Sequence, residues 1–188
     1  MTKTQQTRLG LLRWEEPCWL SDPIPAPVFG GAPVVIQIFP ESDDEAEVDG
    51  DRLAALEQFF ALPPQHAAQI VPHLWLYYLQ VRDSVDDVVQ IAAPGQIGAH
   101  VHPKFVSAER DGNGAVYVSI EGECDWEAEH GVQLVLLNGE RWVRVSDFSG
   151  HLTDGRAYGR PELDAWINDP AAKLPLRTFA EMVGIAHR

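Results

Sequence analysis

The sequence predicts an α+β fold: an antiparallel β-sheet meander with helices packed mainly on one face. Three observations lead there. Period-two alternation dominates 97–147, where Asp111-Gly112-Asn113-Gly114 and Asn138-Gly139 supply the positive-φ residues of hairpin turns. Helical periodicity is confined to 51–83 and to the tail, 161–183. Strands and helices therefore come in separate runs, which segregates them instead of building parallel crossovers. With 188 residues, a single domain over 1–188 is expected, because one core at this length buries roughly 70% of the unfolded chain's surface.

The first segment, 7–39, reads as an irregular hairpin. Val34 to Phe39 (VVIQIF) is its clearest strand because β-branched residues dominate it. Pro23, Pro25, Pro27 and Pro33 lack the backbone donor that a central strand needs, so the stretch around them belongs at an edge or in a loop. The run 41–51 (ESDDEAEVDGD) holds seven acidic residues and no basic one. Self-repulsion makes it a loop, and Asp49 and Asp51 are placed to cap the helix that follows.

In that helix Leu53, Leu56, Phe59 and Phe60 share a face, and Pro63-Pro64 ends it. A second helix runs from about Gln65 to Asp83, where Pro72 either kinks it or opens a new helix. Ile97 to Val101 and Phe105 to Arg110 read as strands. Val116, Val118 and Ile120 alternate with Tyr117, Ser119 and Glu121, which makes 115–122 a half-buried strand. Val132 to Leu137 and Arg141 to Val145 complete the meander. In the tail, Pro161 suits a first helical position, and Thr178 with Glu181 forms a capping box.

Fourteen Lys and Arg stand against 28 Asp and Glu, a net charge of −14. Such a chain repels phosphate backbones, which excludes nucleic acid and anionic membranes as direct partners and favours a basic one. MTKTQQTRLG has no apolar core of the signal-peptide kind, and no apolar run approaches the roughly 18–20 residues of a membrane span, so a cytoplasmic location is expected. Cys18 and Cys124, the two cysteines, read as reduced, packed thiols.

Four groups of residues have chemistry to offer. Cys124-Asp125-Trp126-Glu127-Ala128-Glu129-His130-Gly131 sets carboxylates and an imidazole in a strand loop, a donor set for a hard cation or an acid and base pair. It matches neither an EF-hand nor a zinc signature, and Trp126 reads as core. His100 and His102 share a strand face at i and i+2, so two metal ligands stand ready if His130 or His151 adds a third. Pro103 after them suggests a strand end. Ser149, His151 and Asp154 lie close in sequence, but a catalytic triad needs convergence in space, and a turn at Asp154-Gly155 is the simpler reading. The acidic run 41–51 offers a surface to a cationic partner. No phosphate loop, nucleophile elbow, HExxH or CxxC occurs, so no catalytic residue, metal or cofactor is assigned.

The segment CDWEAEHGVQLVLLNGERWVRVSDFSGHLTD resembles an uncharacterised bacterial domain family with a Cys-x-Trp-Glu-x-Glu-His-Gly sequence, an Asn-Gly type turn and a Gly-His-Leu-Thr end. The resemblance spans 105–158, is looser over 52–82 and leaves out the first 40 residues. Families of this kind look like the small acidic immunity proteins encoded near bacterial polymorphic toxins. The resemblance therefore implies a binding protein, an inhibitor of a basic toxin such as a nuclease, with Asp43, Asp44, Glu45, Glu47, Asp125, Glu127 and Glu129 as expected interface residues. The alternatives are a metal-dependent enzyme using His100, His102 and His130, and a structural or regulatory dimerisation domain.

Overall fold

Strand pairing begins at residue 4 and draws the strands of 4–38 into one sheet with those of 101–146. The computed structural model describes residues 3–42 and 47–164. Asp43, Asp44 and Glu45, and the tail beyond Asp164 with its expected helices and capping box, lie outside the described residues. The strands are β1 (Thr4–Thr7), β2 (Gly10–Glu15), β3 (Cys18–Leu20), β4 (Ile24–Ala26), β5 (Ala32–Ile38), β6 (Val101–Arg110), β7 (Val116–Cys124), β8 (Glu127–Leu137) and β9 (Arg141–Ser146). Their order is β1-β2-β3-β5-β6-β7-β8-β9, with β4 beside β5.

The sheet is mixed, which corrects the expectation of a purely antiparallel one: β5 and β6 run parallel, with Val35 opposite Phe105 and Ile36 opposite Val106. The reason lies in the connection. Parallel neighbours need a crossover of a dozen or more residues, usually helical. Here the helices between β5 and β6 supply it: α1 (Gly50–Phe60) and α2 (Val71–Arg82). From β6 to β9 the strands pair antiparallel in sequence order.

Both helices begin where local chemistry directs. Asp49 caps α1, its Oδ1 accepting from the Asp51 and Arg52 amides at 2.9 and 3.1 Å. Pro72 lies in the first turn of α2, so it opens a new helix rather than kinking an old one, and Pro64–Gln69 forms a separate 3-10 turn. Leu56 and Phe59 of α1 and Leu74 and Tyr78 of α2 join Ile36, Val106, Ile120, Leu134 and Trp142 in the main core. The short α3 (Asp154–Tyr158) lies against the opposite face, where Leu152 packs on Tyr117, Val135 and Val143.

Several local expectations change. Ile97 to Val101 is not a strand: Pro94–His100 is a 3-10 turn and β6 starts at Val101. Pro103 does not end β6. It sits inside, at a register shift, where a missing donor is tolerated. β7 is more than half-buried, because Tyr117 and Ser119 are covered as fully as Val118 and Ile120. Asn138-Gly139 is the tight turn expected, with φ of 53° and 73°. A Cβ at Gly139 would meet the Ala55 carbonyl oxygen at 1.9 Å, so this turn also lets α1 approach.

Candidate functional site

The β7–β8 hairpin closes tightly at Asp125-Trp126, since Cys124 pairs directly with Glu127. Its end is anchored by burial. Trp126 meets Tyr77 and Tyr78 edge-on at ring separations of 5.7 and 6.2 Å. The Tyr77 hydroxyl donates to the Gly131 carbonyl at 2.8 Å. Gly131 adopts φ +62°, and a Cβ there would come within 2.3 Å of the Gly122 carbonyl oxygen. The thiol of Cys124 is buried in this plug, and burial raises its pKa to about 12, which leaves it unreactive. Cys18 and Cys124 are both free and buried.

Two polar clusters cover this plug. In the first, His100 Nδ1 and His102 Nε2 bond separate oxygens of Asp125 at 2.8 and 2.7 Å. A carboxylate only accepts, so each of those nitrogens carries its proton. The bonds from His102 and then His100 hold the Asp125 carboxyl below the usual carboxylate range. The Asp125 amide in turn donates to the His100 carbonyl at 3.1 Å, and Lys104 pairs with Glu123 alongside.

In the second cluster, Glu127 Oε1 accepts from the Glu129 and His130 amides at 2.9 and 3.4 Å and lies 3.6 Å from His130 Nδ1. Ligand atoms of Glu127, Glu129 and His130 all fall within 4.8 Å of one another, the one group of this kind among the described residues. His130 is therefore grouped with the two glutamates rather than with His100 and His102, whose shared partner is Asp125.

Among the described residues, the expected interface carboxylates do not form one patch. Glu47 is exposed near the start of α1, and Glu41, Asp49 and Asp51 there surround Arg110 at 3.6, 2.9 and 3.6 Å. Arg110 ends β6, whereas Val101 at its other end pairs with Cys124. Ten residues of strand separate the two acidic groups by roughly 30 Å. Part of the acidic run also serves the fold. Arg52 is 1% exposed, with Asp49 Oδ2 at 2.6 Å from its Nε and the Phe39 carbonyl at 3.1 Å from Nη1.

Ser149, His151 and Asp154 do converge, but on Arg144. Arg144 donates to Asp154 Oδ1 at 3.0 Å, to Ser149 Oγ at 3.0 Å, to the His151 carbonyl at 3.2 Å and to Gln133 Oε1 at 2.8 Å. Gln133 passes the chain on to Ser119 Oγ at 3.0 Å. Ser149 Oγ and Asp154 Oδ1 face Arg144, and His151 reaches it through its main-chain carbonyl and not its ring, so the three side chains are not aligned as nucleophile, base and acid. Burial raises the Asp154 carboxyl to about 6 against the pull of Arg144. Sequence reasoning missed Arg144 because alternation along Arg141 to Val145 puts it on the same side as Trp142. A register shift between Val135 and Leu136 sets Arg144 opposite Val135, on the other side.

The model of a domain of unknown function, DUF6985, matches residues 8–152. The chain belongs to the DUF6985 family. The DUF6985 region takes in β2 to β9 and both crossover helices. It therefore reaches further towards the N-terminus than the resemblance over 105–158 and, more loosely, 52–82, and it includes residues 8–40. Both hairpin-end clusters lie inside it. No curated protein and no solved structure matches the chain.

Proposed function

We propose that the protein is an acidic, cytoplasmic protein-binding module of the immunity type, which masks a basic bacterial toxin such as a nuclease. The observation that carries this reading is the hairpin end itself. Asp125 and Glu129 are exposed, and Glu127 is held against the Glu129 and His130 amides, at a turn whose Trp126 packs edge-on against two tyrosines. Carboxylates held this way lose little entropy when a cationic partner docks. A net charge of −14 adds a long-range pull on such a partner. Among the described residues no helix is long and apolar enough to cross a membrane.

The test is co-expression with the product of the adjacent gene, scored by growth and by gel filtration. Growth rescue together with a stable complex is expected; a harmless neighbour that forms no complex would sink the reading. Within a complex, Glu127→Gln with Glu129→Gln should slow association about tenfold at low salt and flatten its salt dependence. Unchanged kinetics would remove the hairpin end from the interface.

A second reading, a metal-dependent enzyme, draws on the grouping of Glu127, Glu129 and His130. It requires stoichiometric metal in protein purified without chelator and loss of that metal in His130→Ala.

A further inference from the structure

The sheet face opposite α1 and α2 is covered unevenly. Register sets Phe105, Glu121 and Gln133 side by side across β6, β7 and β8, with Ser107 and Ser119 in the next row. Leu152 and the Arg144 network cover the β8–β9 side of this face. Towards β5, β6 and β7 it opens into a cavity of about 360 Å³, whose charged lining is Glu41, Arg52, Glu109, Arg110 and Glu121, with Phe39 and Phe148 beside them.

Two features of this cavity point to one ligand chemistry. The first is uncompensated negative charge. Ser107 Oγ donates to Glu109 at 3.0 Å, which draws that side chain along the face towards Glu121. Among the described residues neither Glu109 nor Glu121 pairs with a Lys, Arg or His. Burial and then the nearby Glu109 raise the Glu121 carboxyl above its ordinary range. The two arginines in the wall do not relieve this, because Arg110 is held by Asp49, Glu41 and Asp51 and Arg52 by Asp49 and Glu41.

The second feature is aromatic. Phe39 and Phe148 are 52% and 43% exposed at the cavity wall, and Phe105, 37% exposed, stands directly across from Glu121. Exposed phenyl rings beside unpaired carboxylates suit a cation with an apolar stem. The ring faces attract the positive charge, the carboxylates accept its hydrogens, and the stem covers apolar area. A guanidinium answers best, since it stacks on rings and bonds carboxylates in pairs.

We propose that this cavity receives an arginine side chain of the partner protein, its guanidinium between Glu109 and Glu121 and its stem against Phe39 and Phe148. This rests on the protein-binding reading and supplies what the hairpin end lacks, an anchor pocket. Phe148 joins the two, because its amide donates to the His130 carbonyl at 3.3 Å.

An amide NMR titration of the full chain with N-acetyl-L-arginine amide tests the pocket. The amides of Glu109, Glu121, Gln133 and Phe148 should shift together and saturate. Glu121→Gln and Glu109→Gln should each weaken binding about tenfold, while Glu15→Gln on β2 titrates as wild type. Thermal melts check that the glutamine variants fold, and Phe148→Leu gives a second, uncharged perturbation that should also weaken binding. No shift at these amides in the millimolar range, an unchanged response in Glu121→Gln, or an equal response to uncharged N-acetyl-L-norleucine amide would each overturn the assignment. The two readings fail separately. A co-expressed complex that is as tight with the Glu109→Gln, Glu121→Gln double variant as with wild type removes the pocket and leaves the binding protein. Saturating arginine amide binding without any toxin complex keeps the pocket and removes the immunity role.

Discussion

Gly131 is a position where one residue carries the geometry of the hairpin end. Its φ of +62° is strained for any side chain, and a Cβ would press into the Gly122 carbonyl oxygen at 2.3 Å. Gly131→Ala should cost about 2 kcal/mol or more, read as a lower urea midpoint, and it should disturb the neighbouring Tyr77 hydrogen bond. Two buried titratable residues pull stability in opposite directions with pH. Burial lowers His73 from 6.5 to about 3, so between those values the unfolded chain binds a proton that the folded one does not, and stability is lost as pH falls through that window. Asp154 is raised from 3.8 to about 6, so its folded form holds the extra proton. The stability this gives below pH 3.8 is lost as pH rises through 6. Urea midpoints against pH should therefore lose the acid-side slope in His73→Gln and the opposing slope in Asp154→Asn. Each slope is at most about 1.4 kcal/mol per pH unit, and a variant with the wild-type profile would contradict the corresponding assignment.

At the scale of elements, α1 shows how one carboxylate joins capping to burial. Asp49 closes the first turn of α1, accepts from Arg52 Nε at 2.6 Å and accepts from Arg110 Nη2 at 2.9 Å. Asp49→Ala removes a cap worth about 1 kcal/mol and strips a partner from a buried guanidinium, so a total loss of about 3–5 kcal/mol is expected. Asp49→Asn keeps a capping oxygen but not the charge and should lose less than Asp49→Ala; equal losses would mean that the capping oxygen contributes nothing and the charge all of it. In β9, the register shift decides how the strand is used. It lets Trp142 and Val145 face the main core while Arg144 turns to the other side, where it ties 149–154 to the sheet.

Among the described residues, the carboxylates expected at the interface lie at the two ends of β6 rather than in a single patch. Sites roughly 30 Å apart influence an approaching partner additively. Neutralising Glu47 with Asp51 and neutralising Glu127 with Glu129 should therefore change the association rate independently, the combined variant showing the product of the two effects. Strong departure from that product would indicate that both ends touch the partner at once or that the sheet transmits a change between them.

The sequence by itself determined the features set by neighbouring residues. The Asn138-Gly139 turn, the Asp49 cap and the stop at Pro63-Pro64 follow from backbone conformations and hydrogen bonds formed within a few positions. It also marked the hairpin end as a polar cluster on a tryptophan anchor, and it paired His100 with His102. Tertiary structure alone decided which distant groups meet. It set β5 parallel to β6, gave Asp125 to the two histidines and His130 to the two glutamates, turned Ser149, His151 and Asp154 into ligands of Arg144, and gathered Glu109, Glu121, Phe39 and Phe148 around one cavity. The physical reason is register. A shift of one residue moves a strand's side chains to the opposite face, and the shifts within β6, β7 and β9 arise from packing between strands and helices far apart in the chain.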